Sequence, residues 1–276
     1  MNWKEALPEI FATPVTSFED YRKRIDSIES FLSISGVKGL RAYYRGDRVE
    51  DPVQCHLFSR NKLSEEAKLF EDWKSSNRAL LCEDEFENLV RMQHEGGTTR
   101  LLDFTTDSLV ALRFACGRKQ QNCEKKITVF ATTDHICKTR TSKDKSIINA
   151  FMELVKSDHT LLHIGETCKS ICTRDYFVET SRNFERIQRQ KGLFLFMGNL
   201  TDNELLSGSF QEHSEKVKHA LNESCGRGKQ YQGYIGVLHI SSDCIEDIRN
   251  KLEQTCCYNI DYLMAKEKND VQADLR

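Results

Sequence analysis

Apolar residues recur at helical spacing early in the chain. Phe18, Tyr21, Ile25, Ile28 and Leu32 fall on one face of a 3.6-residue repeat. Ser17 precedes them as an N-cap and Gly36 follows as a stop. Residues 1–34 are therefore expected to be mostly helical, with this helix laid across the core. Leu40 to Gly46 reads as a short strand. Residues 64–75 (Ala67, Leu69, Phe70, Trp73) and 84–94 (Phe86, Leu89, Val90, His94) carry two amphipathic helices, and Gly96 and Gly97 end the second. Thr106 or Asp107 caps a further helix with Leu109, Leu112, Phe114 and Cys116. Ile127 to Thr133 alternates as a strand. A helical pattern returns at 146–157, and residues 158–182 follow neither period. Leu193 to Met197 reads as a buried strand, 201–230 as a polar surface excursion and Tyr234 to Ile240 as another strand. Asp243 with Glu246 makes a capping box for a last helix carrying Ile245, Ile248 and Leu252. Helices and strands follow one another without regular βαβ alternation. The fold class expected is α+β, a compact mixed sheet core flanked by helices, with an N-terminal helix.

Composition narrows the picture. With 30% charged and 39% hydrophobic residues the chain is globular rather than disordered. A formal net charge of −2 gives no overall basic footprint for nucleic acid, so a nucleic-acid partner is not expected. The basic stretches (Arg113, Arg118 and Lys119, Lys125 and Lys126, Lys138 to Lys145) read first as solvated surface. The 11 cysteines are odd in number and lack paired C-x-x-C spacing, which argues against a zinc ribbon, and no metal is expected. The start, Met1-Asn2-Trp3-Lys4-Glu5, is charged and lacks the apolar core of a secretory signal. The cysteines are accordingly expected to be reduced thiols, mostly buried, in a cytoplasmic protein. No apolar run approaches membrane-spanning length.

Candidate chemistry gathers in three places. Arg45 ends a strand and could fork onto a phosphate or carboxylate, with Gly46 letting a ligand approach the backbone; a surface arginine before a turn fits the same tripeptide. His94 closes a helix, where the dipole favours the protonated ring, and it could donate to a ligand or act as acid or base; a capping or core histidine is the alternative. Asp103 is expected to be buried and paired with an arginine, so that Asp103→Ala would destabilise as well as inactivate. Thr105 and the following helix start offer backbone N–H groups to a phosphate. Gln190, ahead of an apolar strand, can both donate and accept. Glu65 and Glu66 read as a solvated helix start more readily than as the lining of a cleft.

These pieces fall in one order: Tyr44-Arg45-Gly46, then Gln93-His94-x-Gly96-x-x-Thr99-Arg100-Leu101-Leu102-Asp103-Phe104-Thr105, then Ala111-Leu112-x-Phe114-Ala115, then Arg186-Ile187-x-x-Gln190-x-Gly192-x-Phe194. Over residues 38–200 the sequence resembles the FRG domain family, named for its (Phe/Tyr)-Arg-Gly motif. Many relatives end in a Leu-Phe-Pro-Asp-Leu segment; here Asn259-Ile260-Asp261-Tyr262-Leu263-Met264-Ala265-Lys266 lacks that proline. The resemblance divides the chain into an N-terminal helical segment (1–37), an FRG-like core (38–200) and a C-terminal extension packing on the same domain (201–276).

The resemblance also implies a distant kinship with the ADP-ribosyltransferase fold, in which NAD lies in a cleft of a split sheet. It then implies a cofactor-binding set of Tyr44, Arg45, Gly46, Thr99, Arg100 and Thr105, with Arg45 on the pyrophosphate. The catalytic set is His94 on ribose or carboxamide, Asp103 orienting an arginine or the histidine, and Gln190 on the nicotinamide ribose. No Glu-x-Glu or Gln-x-Glu signature accompanies them. The activity implied is ADP-ribosyl transfer to a macromolecular acceptor, or NAD cleavage, in a toxin or antiviral-defence context. Two alternatives stay open: a non-enzymatic nucleotide-sensing or protein-interaction module, and a nuclease or nucleic-acid-binding module.

Overall fold

A computed structural model of the chain describes residues 9–34, 39–51, 53, 55–117, 123–132, 136–139, 141–157, 165–172, 175–180, 184–198 and 232–265. The N-terminal helix α1 (Phe18–Ile34) buries Tyr21, Ile25, Ile28, Phe31 and Leu32, the stripe that the spacing defines. Ser17 Oγ accepts the Asp20 N–H at 3.0 Å as its cap, while Gly36 lies outside the described residues. There follow β1 (Arg41–Arg48), the single turn α2 (His56–Ser59), α3 (Glu66–Ser76), α4 (Glu85–His94), β2 (Leu101–Thr105) and α5 (Ser108–Cys116). The next elements are β3 (Lys125–Thr132), β4 (Cys137–Lys138), α6 (Lys145–Lys156), α7 (Glu166–Ile171) and β5 (Tyr176–Glu179). The chain continues through α8 (Glu185–Arg189), β6 (Gly192–Phe196), β7 (Gln232–Ile240), α9 (Ile245–Glu253) and α10 (Ile260–Met264). The excursion expected at 201–230 lies outside the described residues.

One open stretch is settled and one local reading is corrected. The stretch 158–182, which follows neither period, holds α7 and β5. Each is too short to display its repeat. The capping box at Asp243 does not form, because a 3-10 turn (Ser242–Cys244) precedes α9 and its cap is Ser241 Oγ, which accepts the Asp243 N–H.

The fold is α+β. Seven strands form one sheet in the order β4-β5-β6-β2-β1-β3-β7, with β4 parallel to β5 and the remaining pairs antiparallel. The sheet has a weak seam. β1 and β3 pair along the whole of β1, from Arg41↔Thr132 to Arg48↔Lys125, yet β1 and β2 share only Tyr44↔Thr105. Two halves, β4-β5-β6-β2 and β1-β3-β7, are therefore joined by a single ladder pair. They also fold over each other. In a flat sheet at ~4.8 Å per strand, β5 and β3 would lie ~19 Å apart. The rings of Phe177 on β5 and Phe130 on β3 are 5.2 Å apart, and Phe177 also stacks on Tyr43 of β1 at 4.6 Å. Leu102, Phe104, Leu193 and Leu195 complete this apolar seam between the halves.

Helices cover the outside. α1, α5 and α9 pack with β1, β3 and β7 around Tyr44, Leu112, Val129, Leu238 and Ile248, and α3, α4, α6 and α7 pack with β2, β5 and β6 around Phe70, Leu89, Phe151 and Phe196. β7 runs antiparallel to β3 over its full length, so the stretch after residue 201 completes the same sheet. Cys55, Cys116, Cys137, Cys168, Cys172 and Cys244 are buried. No helix among the described residues is long and apolar enough to cross a membrane.

Candidate functional site

The seam opens a cleft. Where β1 and β2 diverge beyond Tyr44, ladder partners are lost and side chains take their place. Arg45 Nη1 donates to the Asp103 carbonyl at 2.9 Å, and Arg45 Nε lies 2.8 Å from Asp47 Oδ2. Arg45 Nη2 makes no hydrogen bond among the described residues. Burial pushes the Asp47 carboxyl up, and the Arg45 and Lys126 cations only partly offset it. The cavity beside this arginine has a volume of about 380 Å³, within the range of small-ligand sites (roughly 300–1,000 Å³). Tyr44, Arg45, Gly46, His94, Asp103, Thr105 and Gln190 all line it, together with His56, Gln93 and Arg186. Gly46, expected to admit a ligand to the backbone, instead admits a helix: a Cβ there would lie 1.9 Å from the Ala111 carbonyl oxygen of α5. Tyr44 directs its hydroxyl away, to Glu29 of α1 at 3.0 Å.

α4 is capped by Asp84, whose carboxylate accepts from the Phe86 and Glu87 N–H groups, and it delivers Gln93 and His94 to the cleft. The helix end alone predicts an imidazolium at His94. The structure reverses that: burial first, then the Arg186, Arg91 and Arg189 cations, hold the ring down at about 4. The ring packs against Phe184 at 6.2 Å. His56, which no pattern in the sequence singles out, is also pushed down by burial and by Arg60. The cleft thus holds two neutral imidazoles near neutral pH. For His94 the folded value lies below the unfolded value of 6.5, so the unfolded chain binds the extra proton between these limits. Stability is then present above pH 6.5 and lost as pH falls towards 4, at up to about 1.4 kcal/mol per pH unit. Thermal midpoints of the wild type should fall across this window more steeply than those of His94→Gln. Parallel curves would remove His94 as the cause.

Asp103 departs from its expectation. Its side chain is exposed, and the arginine reaches its main-chain carbonyl rather than its carboxylate. Asp103→Ala strands no buried cation, so the destabilisation expected from the sequence does not follow. The helix start after Thr105 is also already filled. Asp107 caps α5 by accepting from the Leu109 and Val110 N–H groups, the Asp107 N–H donates to Thr105 Oγ1, and the Thr106 N–H donates to the Lys191 carbonyl. A protein carboxylate thus stands where the sequence suggested a phosphate. Gln190 is engaged as well, since Nε2 donates to the Leu263 carbonyl at 2.9 Å. With Arg189 Nη2 on the Ala265 carbonyl at 2.6 Å and Arg186 Nη2 near Met264 Sδ, this ties α10 to the rim of the cleft.

Thr99 and Arg100 lie outside the lining. Arg100 is fully enclosed; Nε donates to Glu66 Oε1 at 2.7 Å, Nη2 pairs with Glu66 Oε2, and Nη1 donates to the Met197 carbonyl at 2.8 Å. Glu66 is 2% exposed, which corrects its reading as a solvated helix start. Thr99 is buried behind Gln93.

Residues 41–124 match the family model of the FRG domain, which takes in Arg45, His94 and Asp103 and stops short of Gln190. No curated protein matches the chain, and no solved structure does.

Proposed function

We propose, from the premise that this chain carries an FRG domain, that the cleft binds a phosphorylated nucleotide, NAD, and breaks its bond to nicotinamide. ADP-ribose then passes to water or to a macromolecular acceptor. One observation carries the reading: Arg45 and Arg186, both cations, and Asp103, an exposed carboxylate, line one cleft from three separate elements. NAD has the matching charges, an anionic pyrophosphate and a cationic pyridinium. Arg45 forks onto the pyrophosphate with the Nη2 edge, which makes no hydrogen bond among the described residues. Asp103 faces the ribose.

As the bond between ribose C1′ and the nicotinamide nitrogen breaks, its electron pair leaves with nicotinamide. Positive charge builds on the ribose, and the carboxylate of Asp103 stabilises it. The acceptor oxygen bonds to C1′ and gives its proton to a neutral imidazole, His94 or His56. Gln190 acts on the cleft through the fold, because its amide is held by Leu263. Consumption of NAD or modification of a macromolecule fits a toxin or antiviral-defence role.

Calorimetry with NAD, followed by chromatography for nicotinamide, tests the reading. The wild type should bind and release nicotinamide. Asp103→Asn should bind NAD as before and turn over on the order of 10²–10³-fold more slowly. Arg45→Lys, which keeps a cation beside Asp47 but loses the fork, should weaken binding about tenfold. Binding without release would favour the sensor. Absence of binding would end the nucleotide reading.

A further inference from the structure

The chain between α4 and β2 does more than connect them. After His94 it turns back sharply. The Gly97 N–H donates to the Met92 carbonyl at 2.8 Å, and a Cβ at Gly97 would lie 2.5 Å from Met92 Cγ. This fold-back places Thr99 against Gln93 beneath the cleft, and Thr99 is 1% exposed. The Thr99 hydroxyl accepts the Leu101 N–H at 3.1 Å, which leaves its own proton to give. It gives that proton to Gln93 Oε1 at 2.6 Å. An amide whose oxygen is claimed on one side must present its NH2 on the other. Gln93 Nε2 then donates to Asp103 Oδ2 at 2.7 Å.

We infer that Gln93 is a positioning residue for Asp103, and that Thr99 sets the direction of its amide. Every donor in this chain points the same way, from the Leu101 N–H through the threonine hydroxyl and the glutamine to the carboxylate. The wall behind the reacting carboxylate is therefore directional. An exposed aspartate on a strand would otherwise sample several rotamers, and a shift of ~1 Å at a reacting group can cost ~10²-fold in rate. As a statement about turnover, the inference rests on the reading of the cleft as a site of NAD cleavage; as a statement about geometry, it does not.

Two measurements separate these levels. In a 1H–15N spectrum of selectively labelled protein, the Gln93 side-chain amide should be shifted by its carboxylate partner. Asp103→Asn, a change at an exposed side chain, should move that cross-peak; Thr99→Val should move it and Thr99→Ser should largely restore it. An amide signal that ignores Asp103→Asn overturns the inference whatever the activity. In NAD cleavage, Gln93→Leu and Thr99→Val should each lower kcat by ~10²-fold with KM nearly unchanged, and Thr99→Ser should recover most of the loss. Because both act through one chain of bonds, the double variant should be little worse than Gln93→Leu alone. Full turnover in a folded Gln93→Leu overturns the positioning role. A wild type that leaves NAD intact defeats the proposed function, and the spectrum still decides the relay.

Discussion

Glu66→Ala is expected to cost about 3–5 kcal/mol of folding stability, a large share of the ~5–15 kcal/mol that holds a typical domain together. Arg100 is wholly enclosed beside Glu66. Burial works against its charge, but the Glu66 carboxylate at its side outweighs that and holds its proton more firmly than usual. Two guanidinium nitrogens rest on Glu66, a third on the Met197 carbonyl, and the central carbon Cζ lies 5.4 Å from the centre of the Phe196 ring. Removing the carboxylate leaves a cation that can neither reach water nor lose its proton. The pair joins α3 to the start of β2, so its loss loosens the half of the sheet that carries Asp103. Urea unfolding should show a much lower midpoint for Glu66→Ala and partial recovery in the double variant Glu66→Met/Arg100→Met, where no charge is stranded. A Glu66→Ala midpoint equal to that of the parent would mean that Arg100 has another anion or water at its side.

The comparison of Arg45 with Arg100 shows how far the sequence can be read. Arg45 lies within β1 and Arg100 stands immediately before β2, and the resemblance put both in one cofactor-binding set. What separates them is a carboxylate 34 residues away in sequence: Glu66 enters the core with Arg100 and uses up its fork, whereas Arg45 Nη2 has no hydrogen bond among the described residues. Such pairing is a tertiary fact that no local pattern contains. His94 makes the same point through charge. The helix end is legible in Gly96 and Gly97, but the ring is governed by burial and by Arg186 and Arg189, which arrive from α8. His56 carries no motif at all and joins the cleft only because its turn abuts β1 and β2. By contrast, α1 was fully written in Tyr21, Ile25, Ile28 and Leu32, and α4 in Phe86, Leu89 and Val90, since burial there follows a repeat long enough to recognise. The seam between β1 and β2 left no trace in either strand's own alternation, because it depends on which strands fail to pair.

Gly46→Ala should also be strongly destabilising, for a steric reason. The added methyl would fall 1.9 Å from the Ala111 oxygen and 2.9 Å from both the Ala111 carbonyl carbon and the Ala115 nitrogen. All three are backbone atoms of α5, so no side chain can swing aside. Nor can the helix retreat freely: Tyr21 donates to the Ser108 carbonyl at its start, Asp107 caps it, and Arg113 ties its last turn to Glu253. Overpacking in a well-packed core costs about 1–3 kcal/mol, occasionally more, and a clash this deep with rigid backbone belongs at or beyond the upper end. Gly96→Ala offers the contrast. Its Cβ would meet nothing within 4 Å, and only its φ of +84° resists the change, a cost of about 1–2 kcal/mol. Thermal unfolding should therefore rank Gly46→Ala far below Gly96→Ala, with Gly46→Ala recovered poorly or as an expanded species with weakened near-ultraviolet dichroism. A Gly46→Ala protein as stable as its parent would show that α5 stands further from β1 than these contacts require. The ranking also decides how a loss of function at Gly46 is read. The glycine of the Tyr44-Arg45-Gly46 motif keeps the helix close to the strand, and that closeness, more than any contact with a nucleotide, holds Arg45 at the open edge of the seam.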